Sequence, residues 1–312
     1  LTETPPETLS EAPIPEASLL LRSAQAADFA PLPLNPREPS PLDANPRYLR
    51  LRSFKSRFLP SRRDILVYLP AAYLTDPTRR FPVFYLHDGQ NLFDGRTSYV
   101  PGRTWQAHTT ADALTAAGLI QPLILVGIEN TGLRRMAEYT PTRDPRHGGG
   151  LGARYGSLLT EDLKPLIDAT FRTLADAPNT ALGGSSLGGL ITLALGLEHP
   201  EIFGKLAVMS PSVWWDNRSI LNLVRDFRLT RLGARTTSTI TRPRLWLDMG
   251  TAEGLRHLRD TDLLHRRLQL RGWKESPAPG ADLHYLRLPG AAHEESAWAQ
   301  RLPFVLQFLF PR

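Results

Sequence analysis

The stretch "GGSSLGG" (residues 183–189) sets two adjacent serines among four glycines, directly before the apolar run "LITLALGL" (190–197). A flexible loop and a strained presenting turn both use glycine, so the flanks decide between them. Upstream, "TALGGS" (180–185) reads as a short buried strand. Downstream, "LGGLITLALGLEHP" reads as a helix that stops at Pro200. The pattern G-x-S-x-G therefore falls on a strand-to-helix junction, with Ser186 at its centre and Ser185 in the variable position. Such a turn holds its serine in a strained backbone conformation and projects the hydroxyl from the top of a sheet. Glycine at 184 and 188 removes the Cβ atoms that would crowd the neighbouring strand and helix. The helix N-terminus favours negative charge, and the N–H of Leu187 points at a developing oxyanion.

The surrounding chain supplies the sheet. Candidate strands are "DILVYLP" (64–70), "PVFYLHD" (82–88), "LILVGIE" (123–129), "KLAVMSP" (205–211), "RLWLDMG" (244–250) and "HYLRLPG" (284–290), besides 180–185. Several are near-continuous apolar runs, as in a parallel sheet covered on both faces. Helical patterns alternate with them at 104–118, 155–174, 187–200, 254–272 and 295–310, and Pro165 is expected to kink or restart the second. Alternating strands and helices of this length give a doubly wound α/β domain.

Residues 1–46 hold ten of the 28 prolines and read as an extended N-terminal arm or linker, with one short helix expected in "EASLLLRSAQAADF" (16–29). The catalytic domain is expected over 47–312. The chain of 312 residues starts at Leu1 and contains no cysteine, which excludes disulfides, zinc-thiolate sites and a cysteine nucleophile. A start at Leu1 is expected from trimming or from removal of a leader, and a proline-rich arm after a removed leader would fit an exported (periplasmic or secreted) protein slightly better than a cytoplasmic one. No apolar stretch approaches the roughly 20 residues needed to span a bilayer. The net charge is +6, and only four of the 37 basic residues are lysine. The densest basic set (Arg50, Arg52, Lys55, Arg57, Arg62, Arg63) reads as a solvated edge beside the first strand, or else as a patch attracting an anion. Spread arginines without aromatic interleaving argue against a nucleic-acid partner.

A nucleophilic serine needs a base and an acid, and in this order of elements the acid follows the serine and the histidine base follows the acid. His257 and His265 lie within a helical pattern and are expected to face solvent; His284 starts a strand. His293, in "PGAAHEES" after the last strand, can reach across the sheet's carboxyl edge. The acid is expected after the strand "RLWLDMG", where Glu253 in the turn "GTAEG" is favoured over Asp248 within the strand, with Asp260 and Asp262 behind both. The second oxyanion amide is expected from Gln90 in "HDGQNLFDG", where Gly89 lets the chain turn.

These segments, with "RRMAEYTP" (134–141), "EDLKPLID" (161–168), "SPSVWW" (210–215), "LDMGTAEG" (247–254) and "GAAHEESAWAQRLPFVLQFLF" (290–310), resemble the esterase D-like family of α/β-hydrolases. The match spans about residues 50 to 310. It implies the α/β-hydrolase fold, a carboxylic ester substrate of small-molecule size, and no metal or organic cofactor. It also implies Ser186 as nucleophile, His293 as base, Glu253 as acid, and the amides of Leu187 and Gln90 as oxyanion hole. The segment "RxxEYTP" is similar to that of stand-alone siderophore esterases and makes Arg135 a candidate for binding an anionic catecholate or carboxylate; the alternative is pairing with Glu138 or another carboxylate. Trp214 and Trp215 are candidates for an acyl-pocket wall or for packing, and Trp105 and Trp298 for the core. The first 46 residues are too short and proline-rich for the N-terminal domain of the larger enterobactin esterases. An acyltransferase of the mycolyltransferase type and a catalytically inert binding scaffold are the alternative functions.

Overall fold

The structure is a computed structural model and describes residues 41–228, 241–278 and 280–312. The helix expected at 16–29 and most of the proline-rich arm lie outside the described residues, as does 229–240.

Eight strands form one sheet: β1 (Tyr48–Phe54), β2 (Arg63–Tyr68), β3 (Val83–His87), β4 (Ile124–Ile128), β5 (Thr180–Ser185), β6 (Lys205–Met209), β7 (Arg244–Gly250) and β8 (Leu283–Leu288). Their spatial order is β1-β2-β4-β3-β5-β6-β7-β8. β1 and β2 run antiparallel to their neighbours, and the six strands from β4 to β8 are parallel. The chain leaves β3 towards β4 on one side and leaves β5 towards β6 on the other, so the order reverses between the neighbours β3 and β5, in the middle of the sheet. That is where a crevice opens outside the carboxyl ends of the strands.

The apolar runs follow from burial on both faces. Val83 and Tyr85 of β3 join Ile124, Val126, Leu206, Val208, Leu245 and Leu247 in one core. Their neighbours Phe84, Leu86, Leu125, Ala207, Met209 and Trp246 join a second core on the other face. Period-two alternation thus feeds two apolar layers rather than one. Helices α1 (Ala107–Ala116) and α4 (Glu295–Leu309) cover the second face. Helices α2 (Leu187–Glu198) and α3 (Leu255–Leu270), with the helical segment 152–170, cover the first. Helix α2 is buried from Leu187 to Leu197, which is why its sequence is apolar all round.

Two readings need correction. β1 was not expected as a strand: its leucines alternate with Arg50 and Arg52, as an edge strand's residues do. The basic set beside it is not uniformly solvated either. Arg63 is buried and ion-paired to Glu138 at 3.0 Å, whereas Arg57, paired with Asp162 at 2.7 Å, stays exposed. Pro165 does mark a restart: a π-helical turn over Leu158–Leu163 gives way to α-helix at Lys164–Thr170. No helix among the described residues is long and apolar enough to cross a membrane.

Candidate active site

β5 ends at Ser185 and α2 begins at Leu187, so Ser186 is the whole turn between them. Its backbone has φ 60° and ψ −122°, a region that L-residues avoid. Main-chain bonds fix it there: its N–H donates to the Met209 carbonyl at 3.1 Å, and its carbonyl accepts from the Ser212 N–H at 3.0 Å. A Cβ on Gly184 would lie 2.9 Å from the His87 ring, and one on Gly189 would lie 2.7 Å from the Met209 carbonyl oxygen. At Gly188 the nearest atom is 3.4 Å away, so the tight fit behind the serine belongs to Gly189 more than to the motif's last glycine. The Ser186 hydroxyl shares a hydrogen bond with that of Ser212 at 3.3 Å.

The chain reaches the same sheet edge from the ends of β3, β7 and β8. After β8, His293 sits in the loop before α4 with its side chain 45% exposed. Its Nδ1 meets Glu253 Oε2 at 2.6 Å, and the Trp298 ring packs edge-on against it. The Glu253 side chain is only 1% exposed. Its second oxygen accepts from the Ser210 hydroxyl (2.7 Å), the Gly250 N–H (2.8 Å) and Arg301 Nη2 (3.3 Å). Burial alone would raise this carboxyl. The bond and charge of His293, with Ser210 and Gly250, outweigh that and hold it below the usual carboxylate range. A fixed, ionised acid on Nδ1 leaves Nε2 as the free ring nitrogen.

Asp248, the other candidate acid, is fully buried and already engaged. It accepts from Arg301 (2.6 Å), the Trp246 indole (2.7 Å) and the Ser210 N–H (3.1 Å). Burial pushes its carboxyl up in spite of those donors.

After β3 the backbone turns through Asp88, at φ 55°, into a short 3-10 turn over Gly89–Asn91. A Cβ on Gly89 would lie 2.8 Å from the main chain of Gly127 and Ile128, so only glycine lets this turn press against β4. Asp88 is gripped by Arg135 through two bonds of 2.8 Å and by Asn130 at 2.7 Å. Burial would raise the Asp88 carboxyl, and Arg135 with Asn130 more than offsets this and holds it low. The Gln90 side chain accepts from the Asn130 N–H at 3.2 Å, which ties the turn to the segment after β4.

Arg135 therefore pairs with Asp88, whereas Glu138 pairs with Arg63. The Arg135 side chain remains 27% exposed. Trp214 is half-buried, with its ring against His147 and Trp215. Trp215 is wholly buried, donates to the Thr142 carbonyl and belongs to the core. Trp105 and Trp298 are buried, as expected.

The expectation that His257 and His265 face solvent is corrected. His265 bonds Glu275 at 2.8 Å and packs on Tyr285, and His257 is half-buried, lowered first by burial and then by the charge of His293. Sequence reading did not single out Ser210, Ser212, Arg301 or Glu295. Glu295 opens α4, accepts from Asn91 at 3.2 Å, and is raised by burial and by Asp88 nearby.

A strained serine, a carboxylate-bound histidine and a turn of backbone amides thus share one edge of the sheet. The sequence profile of the family described as "Putative esterase" matches residues 56–309. The chain belongs to this esterase family. Among relatives of the esterase, the "Uncharacterized protein YbbA" of Bacillus subtilis is 27% identical over 261 residues, covering 80% of this chain and 92% of that one. The "Ferri-bacillibactin esterase BesA" of the same organism is 30% identical over 169 residues, covering 48% of this chain and 54% of BesA. The crystal structure of a BES protein from Bacillus cereus superposes with TM-score 0.68 at 20% identity, covering 89% of this chain and 100% of that one. At that identity the likeness shows the fold, which is that of the α/β-hydrolases. The esterase is a carboxylic ester hydrolase.

Proposed function

We propose that Ser186, His293 and Glu253 act as a nucleophile, base and acid triad that hydrolyses siderophore-type or related aryl and acyl esters. The observation that carries this is the 2.6 Å bond between Glu253 and His293 Nδ1, at the sheet edge where Ser186 is held at φ 60°. His293 Nε2 takes the proton of Ser186 as its oxygen attacks the ester carbonyl. The N–H groups of Leu187 and Gln90 hold the oxyanion, aided by the N-terminus of α2. The imidazolium then protonates the leaving alcohol, and water, deprotonated by the same ring, releases the acyl group. Before substrate arrives, Ser212 holds the Ser186 hydroxyl at 3.3 Å. Serine–base hydrogen bonds commonly tighten only in the complex.

Arg135 serves this site first by clamping Asp88, and so the turn that carries Gln90. Its exposed edge is left to meet a polar group of the substrate. Trp214 supplies a half-buried aromatic wall. The siderophore assignment is supported by the identity with BesA and by the "RxxEYTP" segment. It is tested by hydrolysis of a panel containing iron-loaded and iron-free catecholate siderophore esters beside simple aryl esters, with Ser186→Ala as the control. Catecholate esters turned over no better than simple aryl esters would remove the siderophore assignment. Activity surviving in Ser186→Ala would remove the nucleophile.

A further inference from the structure

We propose that Arg301 is a positioning residue for the Glu253–His293 pair, with Ser210 and Asp248 forming a buried support behind it. This rests on the catalytic reading of Ser186, His293 and Glu253. The Arg301 side chain is 0% exposed. Its Nε donates to the Ala297 carbonyl (3.1 Å), Nη1 to Asp248 (2.6 Å) and to the Ser210 hydroxyl (3.0 Å), and Nη2 to Glu253 (3.3 Å). Burying a guanidinium so completely is costly unless its charge is matched and its donors used. One carboxylate would satisfy that need. Here two converge, one from β7 and one from the turn after it, and the second is the carboxylate that orients His293.

Ser210 closes the arrangement. It stands just beyond β6 at φ 41°, its hydroxyl donates to Glu253, and it accepts from Arg301 and from the Trp298 indole at 3.1 Å. All the hydrogen-bonding capacity of that hydroxyl is committed. Trp298 in turn lies edge-on against the His293 ring. The acid is thus fixed from three elements, and the ring it orients is packed by a member of the same network.

The charges point the same way. Arg301 carries one positive charge against the two carboxylates Asp248 and Glu253. The balance is completed when His293 becomes imidazolium, the state through which ester hydrolysis passes. Among the described residues, the other charged or titratable groups around these carboxylates and His293 are His257 of α3, Tyr285 of β8 facing Asp248, Glu294 with its partner Arg103, Glu295, and the Asp88–Arg135 pair.

The test is hydrolysis of a p-nitrophenyl ester by the full chain, with kcat expressed per serine titrated by a fluorophosphonate. Arg301→Met is expected to lose about 10- to 100-fold in kcat per titrated site, the scale of a misplaced constellation, with KM within about twofold. Arg301→Met/Asp248→Asn is expected to recover at least about threefold of that loss, because it removes the carboxylate left without a counter-charge. In Asp248→Asn alone the acid limb of kcat/KM moves to lower pH, since the imidazolium has lost part of its counter-charge. An unmoved limb would refute the charge component. Parental kcat in Arg301→Met, beside a Glu253→Gln that has lost activity, would overturn the positioning role and leave the triad standing. Parental kcat in Glu253→Gln would overturn both. If Arg301→Met does not fold, Ser210→Ala carries the same test: about a tenfold loss in kcat is expected, and parental kcat overturns the role.

Discussion

Replacing Ser186 by glycine should stabilise the protein relative to replacing it by alanine, with both variants expected to lose activity. The serine stands at φ 60° and ψ −122°, where a residue with a Cβ stores about 1–3 kcal/mol. Glycine adopts this region without strain. Alanine keeps the Cβ and therefore the strain. Both variants lose the 3.3 Å contact to the Ser212 hydroxyl, so that term cancels in the comparison. Glycine gains unfolded-state entropy, which costs about 0.4–1 kcal/mol. The difference leaves Ser186→Gly about 1 kcal/mol more stable than Ser186→Ala, or roughly 1–2 °C in Tm for a chain of 312 residues. Calorimetric melting of the two variants side by side, with urea unfolding to confirm equal m-values, measures it. An alanine variant as stable as the glycine variant, or more so, would refute the idea that the fold holds this residue under strain.

Three other outcomes are expected. Gly89→Ala places a Cβ 2.8 Å from the main chain of Gly127 and Ile128; it should cost about 1–3 kcal/mol in urea unfolding and reduce kcat by displacing the Gln90 amide. Glu253→Gln should lower kcat by at least about 10²-fold while the protein stays folded, because the amide can hold the wrong imidazole tautomer; steady-state kinetics with a near-parental rate would contradict this. His87 is buried beneath the serine turn with its ring against Tyr139 and Tyr155, and burial pushes it down to about 3. The unfolded chain binds that proton below about pH 6.5 and the native chain does not, so stability falls as pH drops from about 6.5 towards 3. In His87→Gln the slope of unfolding free energy between about pH 6.5 and 4 should flatten, and an unchanged slope would assign it to other groups.

The parts of the site legible in sequence are those carried by local pattern. Ser186 announces itself through glycine spacing between a strand and a helix. Glu253 and His293 follow from the ends of two recognisable strands. Burial on both faces wrote β3 to β7 as apolar runs. β1 escaped because an edge strand need not be apolar, and its arginines read as surface. Arg301 escaped for a related reason: an arginine in an amphipathic helix looks solvent-facing, and nothing local shows that Asp248 and Glu253 wait beneath it. The partner of Arg135 was hidden the same way, since Glu138 is the near neighbour in sequence and Asp88 the neighbour in space. Ser210 and Ser212 stood in a quoted motif without a role, because their work depends on β5, β6 and β7 lying side by side, so that their ends meet.

Fluorophosphonate labelling of the full chain, with the modified peptide mapped by mass spectrometry, tests the central claim most directly. One adduct on Ser186, lost in Ser186→Ala and slowed in Glu253→Gln, is the predicted result. An adduct on Ser185 or Ser212, or no adduct on protein shown to be folded, would contradict the assignment of Ser186 as the activated nucleophile.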